Sequence, residues 1–323
     1  MKKRSDNSLA TVLLVSRLLD EGVMPLKASE YRKLCSRFGE PASFIGQPVA
    51  GLVNRGIDPS MADRVARLLE RAVGIAFELN RYEESGIWTL TEHDNTYPKH
   101  LRKRLGSKAP VMLHGSGSRT IFGQPGVGVV GSRAVSEEGA TVARNAAARS
   151  AALGIPLVSG GARGVDQLAM SASNEAGGLV VGVLADSLTK TTSRADVRKA
   201  LMDESTVMCT PYGPAAGFTV GKAMGRNKVI YGLATVTLVV SSELGSGGTW
   251  AGAVEALGKG FGRVAVWSGP GGGPGNAELI KRGGIAVGDI EQLDDIISQP
   301  EPPVEKPPEV SQQSLFFNAL SED

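Results

Sequence analysis

Gly126-Val-Gly-Val-Val-Gly-Ser-Arg133 and Pro156-Leu-Val-Ser-Gly-Gly-Ala-Arg-Gly-Val-Asp166 decide how this chain is read. Each is an apolar strand running into a turn of Gly, Ser and Arg, and each turn precedes a helical pattern. The βαβα order predicts parallel strands whose carboxyl ends lie side by side. Both turns then face one crevice. Glycine lets a ligand approach the backbone, and unpaired N–H groups at a helix N-terminus attract anions. Gly131, Ser132, Ser159, Gly160 and Gly161 supply the backbone of this edge, and Arg133 and Arg163 its positive charge.

Gly126, Gly128 and Gly131 also satisfy the dinucleotide pattern G-x-G-x-x-G. The register is wrong for it. Gly126 and Gly128 fall at the start of the apolar run, and the second strand ends in Ser159-Gly160-Gly161 where a ribose-binding Asp or Glu is needed. No nicotinamide cofactor is expected.

The alternation continues outward. Strands are expected at 127–131, 156–159, 179–184, 206–209, 235–240 and 263–267, with helices at 137–153, 164–176, 194–204, 220–233, 247–259 and 276–282. Strands rich in Val and Leu suit a parallel sheet covered on both faces. A third anion-binding turn, Ser246-Gly247-Gly248-Thr249, follows the strand ending at Val240. Upstream, Ile87 to Leu90 and Val111 to Leu113 read as strands flanking a short basic helix.

Residues 1–84 read as a helical domain. Apolar positions from Leu9 to Leu19 and a run from Ser29 to Phe38 have helical spacing. Asp58-Pro59 caps a helix extending to about Asn80, with Ala62, Val65, Leu68, Leu69, Ala72, Val73 and Ala76 on one face. The Asn54-Arg-Gly-Ile57 turn is either a helix-hairpin-helix DNA contact or a plain connector. Residues 85–298 form the α/β domain. Residues 299–323 hold five of the seventeen prolines and read as an extended, disordered tail.

No run of about 18 apolar residues indicates a membrane span, and the charged N-terminus lacks the apolar core of a signal peptide. Cys35 and Cys209 are therefore expected as reduced thiols in the cytoplasm. The three histidines and two cysteines have no metal-ligand spacing. Glu301, Glu305, Glu309, Glu322 and Asp323 against Lys306 give the tail a charge of −4, leaving +6 on the rest of a chain that carries +2. A mildly basic globule is compatible with nucleic acid.

These segments together resemble the DprA/Smf family (DNA processing protein A). The resemblance is carried by Asp94-x-x-Tyr97-Pro98-x-x-Leu101, by Val129-Val-Gly131-Ser-Arg133, by Ser159 to Asp166, by Arg226-Asn227-Lys228 with Ile230 and Leu233, by Ser246 to Thr249, and by Gly275-Asn276. It implies an extended Rossmann fold, single-stranded DNA binding, a homodimer, assistance to the RecA recombinase during DNA uptake, no cofactor and no catalytic activity. It puts Gly131, Ser132, Arg133, Ser159, Gly160, Gly161 and Arg163 on the phosphate track, with Lys222, Arg226 and Lys228 supplying charge from the opposite helix. Asp166 is expected to order its own loop, because a carboxylate repels phosphate. The sequence departs from the family at Ala223 and Met224, where Phe-Pro is usual; Phe218 or Tyr212 is left as the stacking aromatic. Lys228 replaces an Arg, and the family's usual C-terminal winged helix is not expected from this sequence.

In the tail, Gln312-Gln-Ser314-Leu315-Phe316 is similar to the peptide by which bacterial proteins dock on the replicative sliding clamp; the alternative is a tail folded onto its own core. Two other functions use the same loops. A phosphoribohydrolase needs an acid three places after Gly247-Gly248-Thr249, but Glu255 stands six places on and only Glu243 precedes the glycines. A mononucleotide sensor needs no acid.

Overall fold

The computed structural model describes residues 4–19 and 22–300. The tail, including Gln312, Ser314, Leu315 and Phe316, lies outside the described residues. Nine strands form one sheet: β1 (Trp88–Thr91), β2 (Met112–Gly117), β3 (Gly126–Val130), β4 (Leu157–Ser159), β5 (Val180–Val183), β6 (Thr206–Thr210), β7 (Ala234–Val239), β8 (Arg263–Trp267) and β9 (Ile285–Val287). Their order is β1-β2-β6-β5-β4-β3-β7-β8-β9. From β6 to β9 every pairing is parallel; β1 and β2 add an antiparallel edge.

Side chains alternate between the two faces, as the pleat requires. Val127, Val129, Val236 and Leu238 enter one core cluster. Val130, Val181, Val239 and Val264 enter the other. Gly128 packs against Thr237 of β7, where a side chain would collide with it. The first glycines of the apparent dinucleotide pattern thus serve strand packing, which is why the pattern is not a nucleotide fingerprint here.

Five helices precede the sheet: α1 (Asp6–Val15), α2 (Ala28–Phe38), α3 (Val49–Asn54), α4 (Pro59–Glu70) and α5 (Ala72–Glu84). Asp58 caps α4 by accepting from Ser60 and Met61 N–H, with Pro59 in the first turn. The continuous helix expected from Pro59 to Asn80 is broken at Arg71. The buried Arg71 side chain reaches back to the carbonyls of Leu13 and Ser16, which end α1 at Val15 rather than at Leu19. The break rotates the apolar stripe, so Val73 is 84% exposed rather than buried. At the Asn54–Ile57 turn, the Arg55 guanidinium bonds the carbonyls of Phe38 and Ser43 and lies over Phe44. The cation of this turn is thus engaged within the helical region.

The remaining helices are α6 (Lys99–Leu105), α7 (Arg119–Phe122), α8 (Glu137–Ala152), α9 (Val165–Glu175), α10 (Leu188–Thr192), α11 (Ala195–Met202), α12 (Val220–Leu233), α13 (Gly247–Lys259), α14 (Asn276–Lys281) and α15 (Gln292–Ser298). Each core strand and helix expected from the alternation is present within two residues of its expected limits. β9, three residues long, is too short to show a period. Among the described residues, no helix is long and apolar enough to cross a membrane.

Candidate nucleic-acid interface

From β3 the chain adds β4, β5 and β6 on one side, then returns to place β7 on the other side of β3. The connections after β3 and β7 diverge there, which opens a crevice beyond the strands' carboxyl ends. A cavity of about 420 Å³ occupies it. Its walls are Gly131, Ser132 and Arg133 after β3, Glu243 and residues 246–249 after β7, and one face of α12. Val220, Ala223, Met224, Asn227 and Tyr231 lie on that face at three- and four-residue spacing. A second cavity of about 500 Å³ adjoins it, walled by Gly160, Gly161, Arg163, Asp186 and Arg194. Arg133, Ala162, Phe218, Ala223 and Arg226 border both cavities, which form one trench.

The three turns are not equivalent. α13 starts at Gly247 with no side chain capping its first N–H groups, and Ser246, Gly247, Gly248 and Thr249 face the cavity. This helix end is open to an anion. α8 instead starts four residues beyond Arg133, is capped by Ser136, and carries Glu137 and Glu138 in its first turn. At α9 the buried Asp166 carboxylate accepts the N–H groups of Ala162, Gly160 and Gly131. The expected cradle of two free turns is thus already filled by an internal anion, and the α13 turn is the open one. Thr249 Oγ1 donates to the Gly131 carbonyl and ties the third loop to the first.

Burial pushes the Asp166 carboxyl up to about 6, against the pull of Arg226 and the three N–H groups. Burial also lowers the pKa of Arg226. Desolvation therefore outweighs attraction for both members. Arg226 is 6% exposed and donates to the Val183 carbonyl. It crosses directly over Gly160, where a Cβ would strike the guanidinium. Arg226 is a strut under the trench rather than the open cation expected of it.

Three other expected site residues also lie elsewhere. Ser159 is fully buried and its hydroxyl donates to the Val129 carbonyl. Lys222 lines neither cavity; its Nζ donates to the Gly217 carbonyl. Lys228 is turned to the opposite flank of α12, against the N-terminal helices. Gly131, Ser132, Arg133, Gly161, Arg163 and residues 246–249 are brought together along the trench, and Arg133 and Arg163 are exposed.

Several lining residues escaped the sequence reading. Asn227 Nδ2 donates to the Gly248 carbonyl and bridges α12 to the open turn. Its signal was the spacing 220, 223, 224, 227, 231 along the helix. Of the two candidate aromatics, Phe218 is 53% exposed and borders both cavities. Tyr212 donates its hydroxyl to the Lys222 carbonyl and lies outside the trench. Among the described residues no group of three His, Cys, Asp or Glu side chains is placed to hold a metal. Cys35 and Cys209 are unpaired with each other, and burial raises both thiol pKa values, to about 11 and about 12.

A doubly wound α/β sheet with an uncapped helix end at its switch point defines the class: a Rossmann-like α/β protein. The family follows from comparison. The sequence model of DNA recombination-mediator protein A matches residues 88–299, and the chain belongs to that family. It is similar to DNA processing protein DprA of Bacillus subtilis (strain 168), with 28% identity over 224 residues, 67% of this chain and 73% of that one. It is 29% identical to DprA of Streptococcus pneumoniae over 155 residues, 48% of this chain and only 54% of that relative's length. The solved S. pneumoniae DprA structure shares the fold, with a TM-score of 0.65 at 22% identity, covering 91% of this chain and 98% of that one. DNA processing protein A of Helicobacter pylori, a structure described for its single-stranded DNA binding mode, superposes with a TM-score of 0.53 at 20% identity, covering 65% of this chain and 94% of that one.

Proposed function

We propose that this protein binds single-stranded DNA along the trench as a non-enzymatic recombination mediator, protecting an incoming strand and assisting RecA loading. One observation carries the reading. The two cavities share Arg133 and Phe218, so the trench is longer than one nucleotide and offers successive sites to a chain of phosphates. Single strands are held by cations that follow phosphates and by aromatic faces that stack bases. Arg133 and Arg163 are the exposed cations held in no ion pair among the described residues, Arg194 being paired with Asp196; Phe218 is the exposed ring, and the α13 N-terminus the fixed phosphate seat. Asp186 and Asp196 in the second cavity make it the weaker half. Family membership and the single-stranded DNA binding described for the H. pylori protein support the same reading. It carries with it the cytoplasm as place of action, a homodimer, and RecA and the sliding clamp as partners, the last through Gln312 to Phe316.

The test is binding of a fluorescent single-stranded oligonucleotide at several salt concentrations, beside Arg133→Ala and a duplex control. Strand-selective binding that weakens with salt and with the substitution is expected. Absence of binding at low salt sinks the reading. The competing reading is nucleotide hydrolysis. It rests on Glu243, a lining residue of the cavity that holds the open turn, whereas Glu255 pairs with Lys259 outside the cavity. Turnover of a mononucleotide that is lost in Glu243→Gln would favour it.

A further inference from the structure

α12 has a second flank, and a different cleft lies against it. The cleft holds about 290 Å³ between the N-terminal helices and the sheet's antiparallel edge. Arg17, Lys27, Lys108 and Lys228 border it, and among the described residues no carboxylate does. None of these four cations is held in an ion pair among the described residues. They come from three separate segments, Arg17 and Lys27 both lying between α1 and α2, so their convergence with Lys108 and Lys228 is made by the docking of the helices on the sheet. Glu255 acts on Lys228 and Glu30 on Lys27 from outside the cleft wall, but the wall itself carries cations alone, and like charges gathered in this way raise the local potential and concentrate anions. Lys228 is half-buried, and its pKa is lowered first by that burial; Glu255 pulls it back up, and Lys108, Lys259 and Arg32 add to the lowering. An anion in the cleft would relieve both effects.

The cleft and the trench lie on different flanks of α12 and share no lining residue, but Tyr212 links them. Tyr212 borders the cleft and hydrogen-bonds the Lys222 carbonyl at 2.8 Å, and the Lys222 ammonium stands 5.9 Å from the Tyr212 ring centre. Gly225 leaves the space that Tyr212 fills, since a Cβ there would come within 2.6 Å of its hydroxyl. Lys222, bonded to the Gly217 carbonyl beside Phe218 and lying near the Tyr212 ring, is thus a cation placed between a trench residue and a cleft residue.

We infer that this inter-domain cleft is a second phosphate-binding site, which takes the backbone of the same single strand after it leaves the trench past Lys222. That the phosphate comes from a strand rests on the proposed function. The alternative source is a free phosphate or nucleotide, and the shared chemistry is a phosphate dianion or diester met by Lys108 and Lys228.

The experiment compares wild type, Lys108→Gln and the double variant Lys108→Gln/Lys228→Gln. Binding of oligonucleotides of about 6 and about 20 nucleotides is measured across a salt series, lengths that bracket single-site footprints. Thermal shift with inorganic pyrophosphate is measured in parallel. The double variant is expected to bind the short strand as wild type does. It is expected to bind the long strand at least tenfold more weakly at ~0.1 M salt, with the salt slope reduced by about 1.4, or ~0.7 per lost contact. Lys108 is exposed, so the single variant reports the effect without disturbing packing. Unchanged long-strand binding, together with a pyrophosphate shift that wild type shows and the double variant loses, retains the site and assigns it to a free phosphate. Unchanged values in both assays overturn the inference. If wild type binds no strand at all, the proposed function falls by itself, and the pyrophosphate comparison alone decides the cleft.

Discussion

Thr249 Oγ1 donates to the carbonyl of Gly131 at 2.9 Å across 118 residues of chain. This bond joins the two loops that part at the switch point. Thr249→Val keeps the shape and removes the donor, so it should widen the trench mouth. The expected result is a stability loss of about 1 kcal/mol by urea unfolding, with weaker single-strand binding. Thr249→Ser should restore both.

Arg133 and Arg226 should separate functionally although both border the trench. Arg133 is exposed and forms no ion pair among the described residues. Arg133→Ala should leave the unfolding midpoint unchanged while lowering the salt slope of strand binding by about 0.7. Arg226→Ala removes the buried cation facing Asp166 and the donor to Val183. A loss of about 3 kcal/mol or more is expected, because an uncompensated buried charge remains. An Arg226→Ala protein as stable as wild type would refute the strut.

Phe218→Ala should weaken single-strand binding by about 1–3 kcal/mol, the cost of losing one stacked base. Tyr212→Phe loses the bond to Lys222 but no trench surface, so a short strand should bind it as before. Competition binding with a short oligonucleotide distinguishes the two rings.

His114 gives stability a pH dependence of known sign. It is buried on β2, its Nδ1 paired with Thr89 Oγ1, and burial drives its pKa from 6.5 to about 3. The unfolded chain then binds the proton more tightly than the folded one. The contribution of His114 is full above pH 6.5 and declines as pH falls toward about 3, by about 1.4 kcal/mol per pH unit. Urea unfolding at pH 7, 6 and 5 should show a shallower loss in His114→Asn than in wild type.

The local rules of chain geometry were readable without coordinates. Apolar runs, glycine turns and caps such as Asp58-Pro59 act over a few residues, so the alternating core and the αβ class followed from them. The open turn at Ser246 to Thr249 was legible for the same reason. The break at Arg71 was not: its side chain finds its partners in α1 and just after its end, 58 and 55 positions away.

By itself, then, the sequence determined the parallel sheet, the order of its turns and the family resemblance, all written in short contiguous segments. Only the tertiary structure decided where the charges went. Arg226 and Lys228 are two positions apart on α12, hence about 200° apart around its axis. Packing turned the first under the loops and the second into the cleft beside the N-terminal helices. Asp166 likewise became the anion of its own turns only when β3 and β4 brought Gly131 and Gly160 to it. Helix rotation and strand adjacency are set by long-range burial, and no local pattern encodes which face that burial selects.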